Sequence, residues 1–201
     1  MTNVMRRDSR PVVFLNGPPQ CGKDTLGEHI VQTCPGFRLV KFAESLKVRT
    51  HALYGRPDLP HDAFEKCKDE PNEIFLGLTP RRAYIRVSEG YLKPTHGEDV
   101  FGTFLLQKIL KEDSGARAFV ISDSGFVPEA QCLLRHFNGD NCILVRIHAE
   151  GRGCSFKNDS RGYITLPIES HDIMNNGSRE GFLSHASGRL ARSLQQMIGG
   201  A

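Results

Sequence analysis

Gly17-Pro18-Pro19-Gln20-Cys21-Gly22-Lys23-Asp24-Thr25 fits G-x-x-x-x-G-K, a spacing whose chemistry is the cradling of a polyphosphate. Loop amides and the positive end of a following helix would face phosphate oxygens, while the Lys23 ammonium reaches the β- and γ-phosphates. ATP, or another nucleoside triphosphate, with Mg²⁺ is the expected occupant. A Gly/Pro turn carrying an incidental lysine is the bland reading, and the strand-like run before the loop and the helical run after it disfavour it. The Ser or Thr that normally closes the motif is replaced by Asp24. A carboxylate there could bind Mg²⁺ directly or through water, or accept the proton of an attacking hydroxyl; Thr25 could supply the hydroxyl one position later, or be a plain helix residue.

Other side chains bid for supporting roles. Asp123 ends the run Phe119-Val-Ile-Ser-Asp, where a nucleotide-binding sheet commonly offers a carboxylate to Mg²⁺; a helix cap or turn is its alternative, and Ser122 beside it carries no such weight. Arg152 and Arg161 lie in a polar, glycine-bearing stretch where a mobile lid belongs, so either could neutralise a transferring phosphoryl group or be a solvated loop residue. Arg81, Arg82 and Arg86 recur at helical spacing and could grip a substrate phosphate or form a solvated face. Glu44 competes with Asp24 as proton acceptor. Phe126, Phe42 and Tyr84 could stack on a base, though each also suits a core. Eight scattered histidines form no H-x-x-x-H or H-E-x-x-H pattern, so neither a metal hydrolase nor a Ser-His-Asp reading can be built.

These residues need elements to hold them. Pro11–Leu15 is a short apolar run that reads as a buried strand, followed by a loop and a helix over about Lys23–Thr33 that Pro35-Gly36 stops. Phe37–Phe42 reads as a second strand and Glu44–Tyr54 as a helix, with Gly55–Pro60 breaking the pattern. Thr79-Pro80 opens another helix, and one more begins near Glu98 with Val100, Phe101, Phe104, Leu105 and Ile109 inward. Ala118–Asp123 and Cys142–Ile147 are further strands, Pro128–Phe137 is a short helix, and Phe182, Ala186, Leu190 and Leu194 mark a last one. Strands alternating with helices argue for a parallel sheet covered on both faces.

With 39% hydrophobic and 24% charged residues over 201, the chain reads as one globular domain, residues 1–201, able to bury roughly 70% of its unfolded surface without disulfide or metal. Collagen, coiled coil and wholesale disorder are excluded. The net charge of +3 permits a nucleic-acid or phosphate-bearing partner without demonstrating one. Six cysteines without a C-x-x-C pair read as reduced thiols, residues 1–10 as a flexible N-terminus without an apolar signal core, and apolar runs of about five residues as too short to span a bilayer.

Gly17–Thr25, Lys41-Phe-Ala-Glu-Ser-Leu-Lys47, Thr79-Pro-Arg81, Glu98-Asp-Val-Phe-Gly102, and Ile121-Ser-Asp-Ser-Gly-Phe126 with Glu129-Ala130 together resemble the phage P-loop nucleotide kinases related to deoxynucleoside monophosphate kinase and thymidylate kinase. Such a resemblance implies a three-layer α/β P-loop kinase fold with a mostly parallel sheet, a lid-like loop at about 151–162, ATP and Mg²⁺ as cofactors, and an infected bacterial cytoplasm as location. Catalytic residues would be Lys23, Asp24 and Arg161; Phe42, Glu44, Arg81 and Phe126 would touch the acceptor; Asp24, Thr25 and Asp123 would touch the metal. Monophosphate kinases of this kind tend to carry Asp-Val-Arg-Phe where this chain has Asp123-Ser-Gly-Phe126, so the arginine is missing. That form, with Ile85–Pro94 upstream, is similar to the phage 5-hydroxymethyluracil DNA kinases, which implies DNA containing 5-hydroxymethyluracil as acceptor and a step in thymidine hypermodification. A free deoxynucleoside monophosphate is the alternative acceptor. Neither a membrane nor a stable protein partner is implied. A non-catalytic nucleotide switch is a different class of answer, disfavoured because no GTPase base-reading motif is present.

Overall fold

The computed structural model describes residues 7–112, 115–157 and 159–199. Its centre is β1 (Val12–Asn16), whose five residues are all buried, flanked by β3 (Ala118–Ile121) on one side and β4 (Cys142–His148) on the other. The strand order is β2-β3-β1-β4-β5, with β2 at Phe37–Val40 and β5 at Glu169–Met174, and every pairing is parallel. β5 had no counterpart among the expected strands, because as an edge strand it buries only Ile173 and reads as a polar stretch. β2 and β3 stop two residues short of their expected ends: Phe42 already turns into α2 (Ala43–Leu53), and Asp123 leaves the sheet to cap that helix.

Alternation along β1 sorts the core into two layers. Val12 and Phe14 pack with Phe119, Ile121 and Leu144 against α5 (Val100–Glu112) and α6 (Val127–His136), through Leu105, Ile109, Ala130 and Leu133. Val13 and Leu15 pack with Val120, Val145 and Ile147 against α1 (Lys23–Thr33) and α7 (Arg179–Gly199), through Leu26, Ile30, Ala186 and Leu190. The connection after β1 thus covers one face and that after β3 the other, leaving a crevice between these neighbouring strand ends.

Residues 54–79 form an insertion between α2 and α3 (Pro80–Val87), with a small aromatic core of Phe64 and Phe75 against Tyr54, Tyr84 and His51. Thr79 caps α3, its hydroxyl accepting the Arg82 amide, and Pro80 takes the first turn as expected. A wide π-turn, Ser88–Leu92, joins α3 to the short α4 (Lys93–His96). Of residues 1–10, expected to be flexible, the Asp8 amide donates to the His136 carbonyl, and the Arg10 guanidinium, bonded to Asp8, lies over the Phe119 ring; residues 1–6 fall outside the described residues.

Candidate active site

The loop between β1 and α1 has the backbone that a phosphate cradle requires. Gly22 sits at φ +103°, and a Cβ there would meet the Asn175 side-chain amide at 2.7 Å; Gly17 is packed so closely that a Cβ would lie 2.6 Å from the Ile147 carbonyl. Asn175, buried at the end of β5, donates to the Cys21 carbonyl and ties the loop to the far edge of the sheet. Lys23 Nζ folds over the loop and donates to the Gly17 and Pro18 carbonyls at 2.8 and 2.7 Å. Burial lowers its pKa, with the nearby Arg161 charge acting the same way, so an anion arriving at the loop would gain a cation held short of solvent.

Beside it, Asp24 is 61% exposed and accepts from Lys41 at 2.7 Å and from Ser122 at 2.6 Å. Burial opposes its charge, but those two bonds outweigh burial and hold its carboxyl below the usual range. Ser122, discounted from sequence, therefore holds the least usual residue of the loop. Asp123 accepts the Phe42 and Ala43 amides at 2.9 Å, one per oxygen, and so caps α2 from across the sheet; burial raises its pKa against those bonds. The cap or turn expected at this point was a local one before Ser124-Gly125; the helix that follows begins at Phe126 without a side-chain cap, and Asp123 caps the earlier α2 instead. Among the described residues no three His, Cys, Asp or Glu side chains form a metal cage. Thr25, partly exposed in the first turn of α1, lies next to Asp24.

Across the crevice from the loop, the stretch expected to form a lid is anchored at its end. Asn16, fully buried at the end of β1, donates to the Ser124 and Gly162 carbonyls at 2.8 and 3.0 Å and accepts the Ile164 amide at 3.1 Å. Between these fixed points Arg161 grips Asp159 with two side-chain bonds of 2.8 and 2.6 Å, and its stem lies on Gly125, where a Cβ would overlap it, 2.7 Å from Cγ. The space beside Gly125 is thus filled by the aliphatic stem of Arg161. Lys93, 5% exposed, pairs with Glu89 at 2.8 Å and sits 4.1 Å above the Phe126 ring. Glu129, in the first turn of α6, is 3% exposed. Burial first, and the Asp123 charge second, push its pKa up to about 8.

Several other expected contacts are engaged elsewhere. Phe42 is 2% exposed and packs in the core, so its ring offers no stacking face; Tyr84 is hydrogen-bonded to His51 inside the insertion. Glu44 is paired with Lys108 at 2.6 Å, Arg81 with Asp69, and Arg152 donates to Asn175. Phe126 and Arg161 remain beside the crevice. Asn16, Lys41, Ser122, Lys93 and Glu129 were missed or unweighted in the sequence; only Glu129 left a signal, an acid sharing the buried stripe of Cys132 and Leu133. An apolar groove of about 520 Å³ between α1 and α7 lies away from all of these charges.

The sheet order, the loop and its lysine define an α/β fold of the P-loop kinase type. The chain shares that fold with a gluconokinase from Sinorhizobium meliloti 1021, at a TM-score of 0.50 and 14% identity, covering 98% of this chain and 99% of that one. A sugar kinase from Janibacter sp. HTCC2649 (TM-score 0.44, 12% identity, 90% and 95% covered) and a shikimate kinase from Acinetobacter baumannii in complex with shikimate (0.36, 13%, 94% and 81%) are also similar. No family model matches the chain, and no curated protein matches it.

Proposed function

We propose that this chain is an ATP-dependent phosphotransferase whose acceptor is the hydroxymethyl group of 5-hydroxymethyl-deoxyuridine in DNA. The observation that carries the kinase part is the P-loop itself, with Lys23 folded onto its carbonyls and Asp24 and Asp123 beside it. Loop amides and Lys23 would hold the β- and γ-phosphates of ATP; Asp24 and Thr25 would hold Mg²⁺, and Asp123, each of whose oxygens accepts one α2 amide and keeps a free lone pair, would hold it with them. Mg²⁺ held there would supply neutralisation of charge on the transferring phosphoryl group, and Arg161, paired with Asp159 in this structure, would turn from that partner to add to it from the lid.

The acceptor assignment leans on the Asp123-Ser-Gly-Phe126 form and on the charge balance around it. Arg161 is matched by Asp159 and Lys93 by Glu89, so the crevice has little spare cation for an anionic head. A base bearing a neutral hydroxymethyl group would enter, extruded or from a single strand, while its phosphodiesters stay outside. The Arg161 stem packed on Gly125 favours a second reading, a deoxynucleoside monophosphate kinase whose phosphate-gripping arginine comes from the lid. On the first reading the enzyme works in an infected bacterial cytoplasm; among the described residues no helix is long and apolar enough to cross a membrane.

The test offers radiolabelled ATP with hydroxymethyluracil DNA, thymine DNA and free deoxynucleoside monophosphates in parallel. Label confined to hydroxymethyluracil DNA, falling steeply with salt as Lys and Arg lose the backbone, is the expected result. Diphosphates with no labelled DNA would install the second reading.

A further inference from the structure

Each carboxylate around the crevice has a donor except one. Asp24 has Lys41 and Ser122, Asp123 the α2 amides, Asp159 Arg161, and Glu89 Lys93 and Ser88. Among the described residues Glu129 meets no hydrogen-bond donor or ion pair, although it is 3% exposed. No fully enclosed side-chain oxygen or nitrogen among those residues lacks a partner, so the Glu129 oxygens open outward rather than into a sealed core. The charges acting on Glu129 are Asp123 after β3, Glu89 in the π-turn, Lys93 in α4 and Arg161, and it stands in the first turn of α6, directly after the segment from the end of β3 that borders the crevice. Its backbone is fixed from behind: a Cβ on Gly102 of α5 would lie 2.5 Å from the Glu129 carbonyl oxygen, so α5 can approach only as glycine there.

A buried acid without a partner costs stability that a leucine at the same place would not, and such groups concentrate at ligand sites. Burial keeps this one protonated at neutral pH, its pKa being about 8, so it presents an O–H donor and a C=O acceptor side by side. A phosphate here would meet Asp123 and Glu89, with both neighbouring cations already matched. The complementary ligand is an uncharged group that itself donates and accepts, such as a hydroxyl or an N–H beside a carbonyl.

We propose that Glu129 binds the uncharged, hydrogen-bonding head of the phosphoryl acceptor, its carboxyl donating to one polar atom and accepting from another, and so turns this end of the crevice against anionic groups. The inference rests on the phosphotransferase reading above. Because the protonated form binds, acceptor affinity is present below a pH of about 8 and is lost as the carboxyl ionises above it.

The experiment compares wild type, Glu129→Gln and Glu129→Leu with radiolabelled ATP and a panel of hydroxymethyluracil oligonucleotide, deoxynucleoside monophosphates and gluconate, each over pH 6–9. Glu129→Leu should raise the acceptor KM by about tenfold or more, with kcat and the KM for ATP within about threefold of wild type. Glu129→Gln, which keeps a donor and an acceptor, should recover most of the KM and flatten the alkaline fall. A wild-type acceptor KM in Glu129→Leu overturns the inference and leaves the kinase reading standing. Should the leucine variant not fold, an alkaline fall that persists in Glu129→Gln overturns it equally. If wild type labels nothing in the panel, both readings fall together.

Discussion

Asn16→Leu tests how the crevice is built. The two side chains have the same number of heavy atoms, so the change removes hydrogen bonds with little change of volume. Three groups lose their partner: the Ser124 and Gly162 carbonyls and the Ile164 amide. A buried polar group left unsatisfied costs about 1–3 kcal/mol, so if all three stay buried the loss is about 3–9 kcal/mol, a large share of a total stability of roughly 5–15 kcal/mol. At this chain length that is a fall in Tm of at least about 6 °C. The chain can escape part of it by releasing residues 161–164 to water, which would limit the loss to about 1–2 kcal/mol but let Arg161 drift from Gly125. Denaturant unfolding, hydrogen exchange at the Ile164 amide and steady-state turnover distinguish the two outcomes, and in the second turnover should drop at least about tenfold. A variant losing under about 1 kcal/mol, with Ile164 still protected and turnover intact, would refute the anchoring role.

Lys23→Ala should cut phosphoryl transfer by at least about a hundredfold while the unfolding midpoint stays close to wild type, because the ammonium serves the loop and its ligand, not the core; near-normal turnover would contradict the cradle. Asp24→Asn should lower turnover by about tenfold, or about 1.4 kcal/mol in the transition state, and shift the Mg²⁺ titration, since the neutral amide loosens Lys41 as well as any metal; identical titrations would reduce Asp24 to a structural anchor. Gly125→Ala, whose new methyl overlaps the Arg161 stem, should lower kcat more than the KM for ATP, and an additional Arg161→Ala should add little to it.

Much of the scaffold is legible in local pattern. Val12–Asn16, Lys23–Thr33 and the helix opened by Thr79-Pro80 stand where apolar runs, glycine and proline place them, because burial period and capping are properties of a few consecutive residues. The phosphate loop is legible for the same reason, its residues being contiguous. The edge strand Glu169–Met174 was not, since pairing to β4 rather than an apolar run makes it a strand. Everything that gives the crevice its character depends on residues far apart in the chain: Asn16 joined to Gly162 and Ile164, Asp24 to Ser122, Asp123 to α2, and Arg161 laid on Gly125. Phe42, which suited a stacking partner or the core, is core, and Glu129 is buried without a partner. Sequence by itself determined the glycine-lysine loop with the spacing of a phosphate cradle and the layers that carry it; the tertiary structure alone decided which charges are matched and which is left open, because desolvation and pairing are set by neighbours that only the closed sheet brings together.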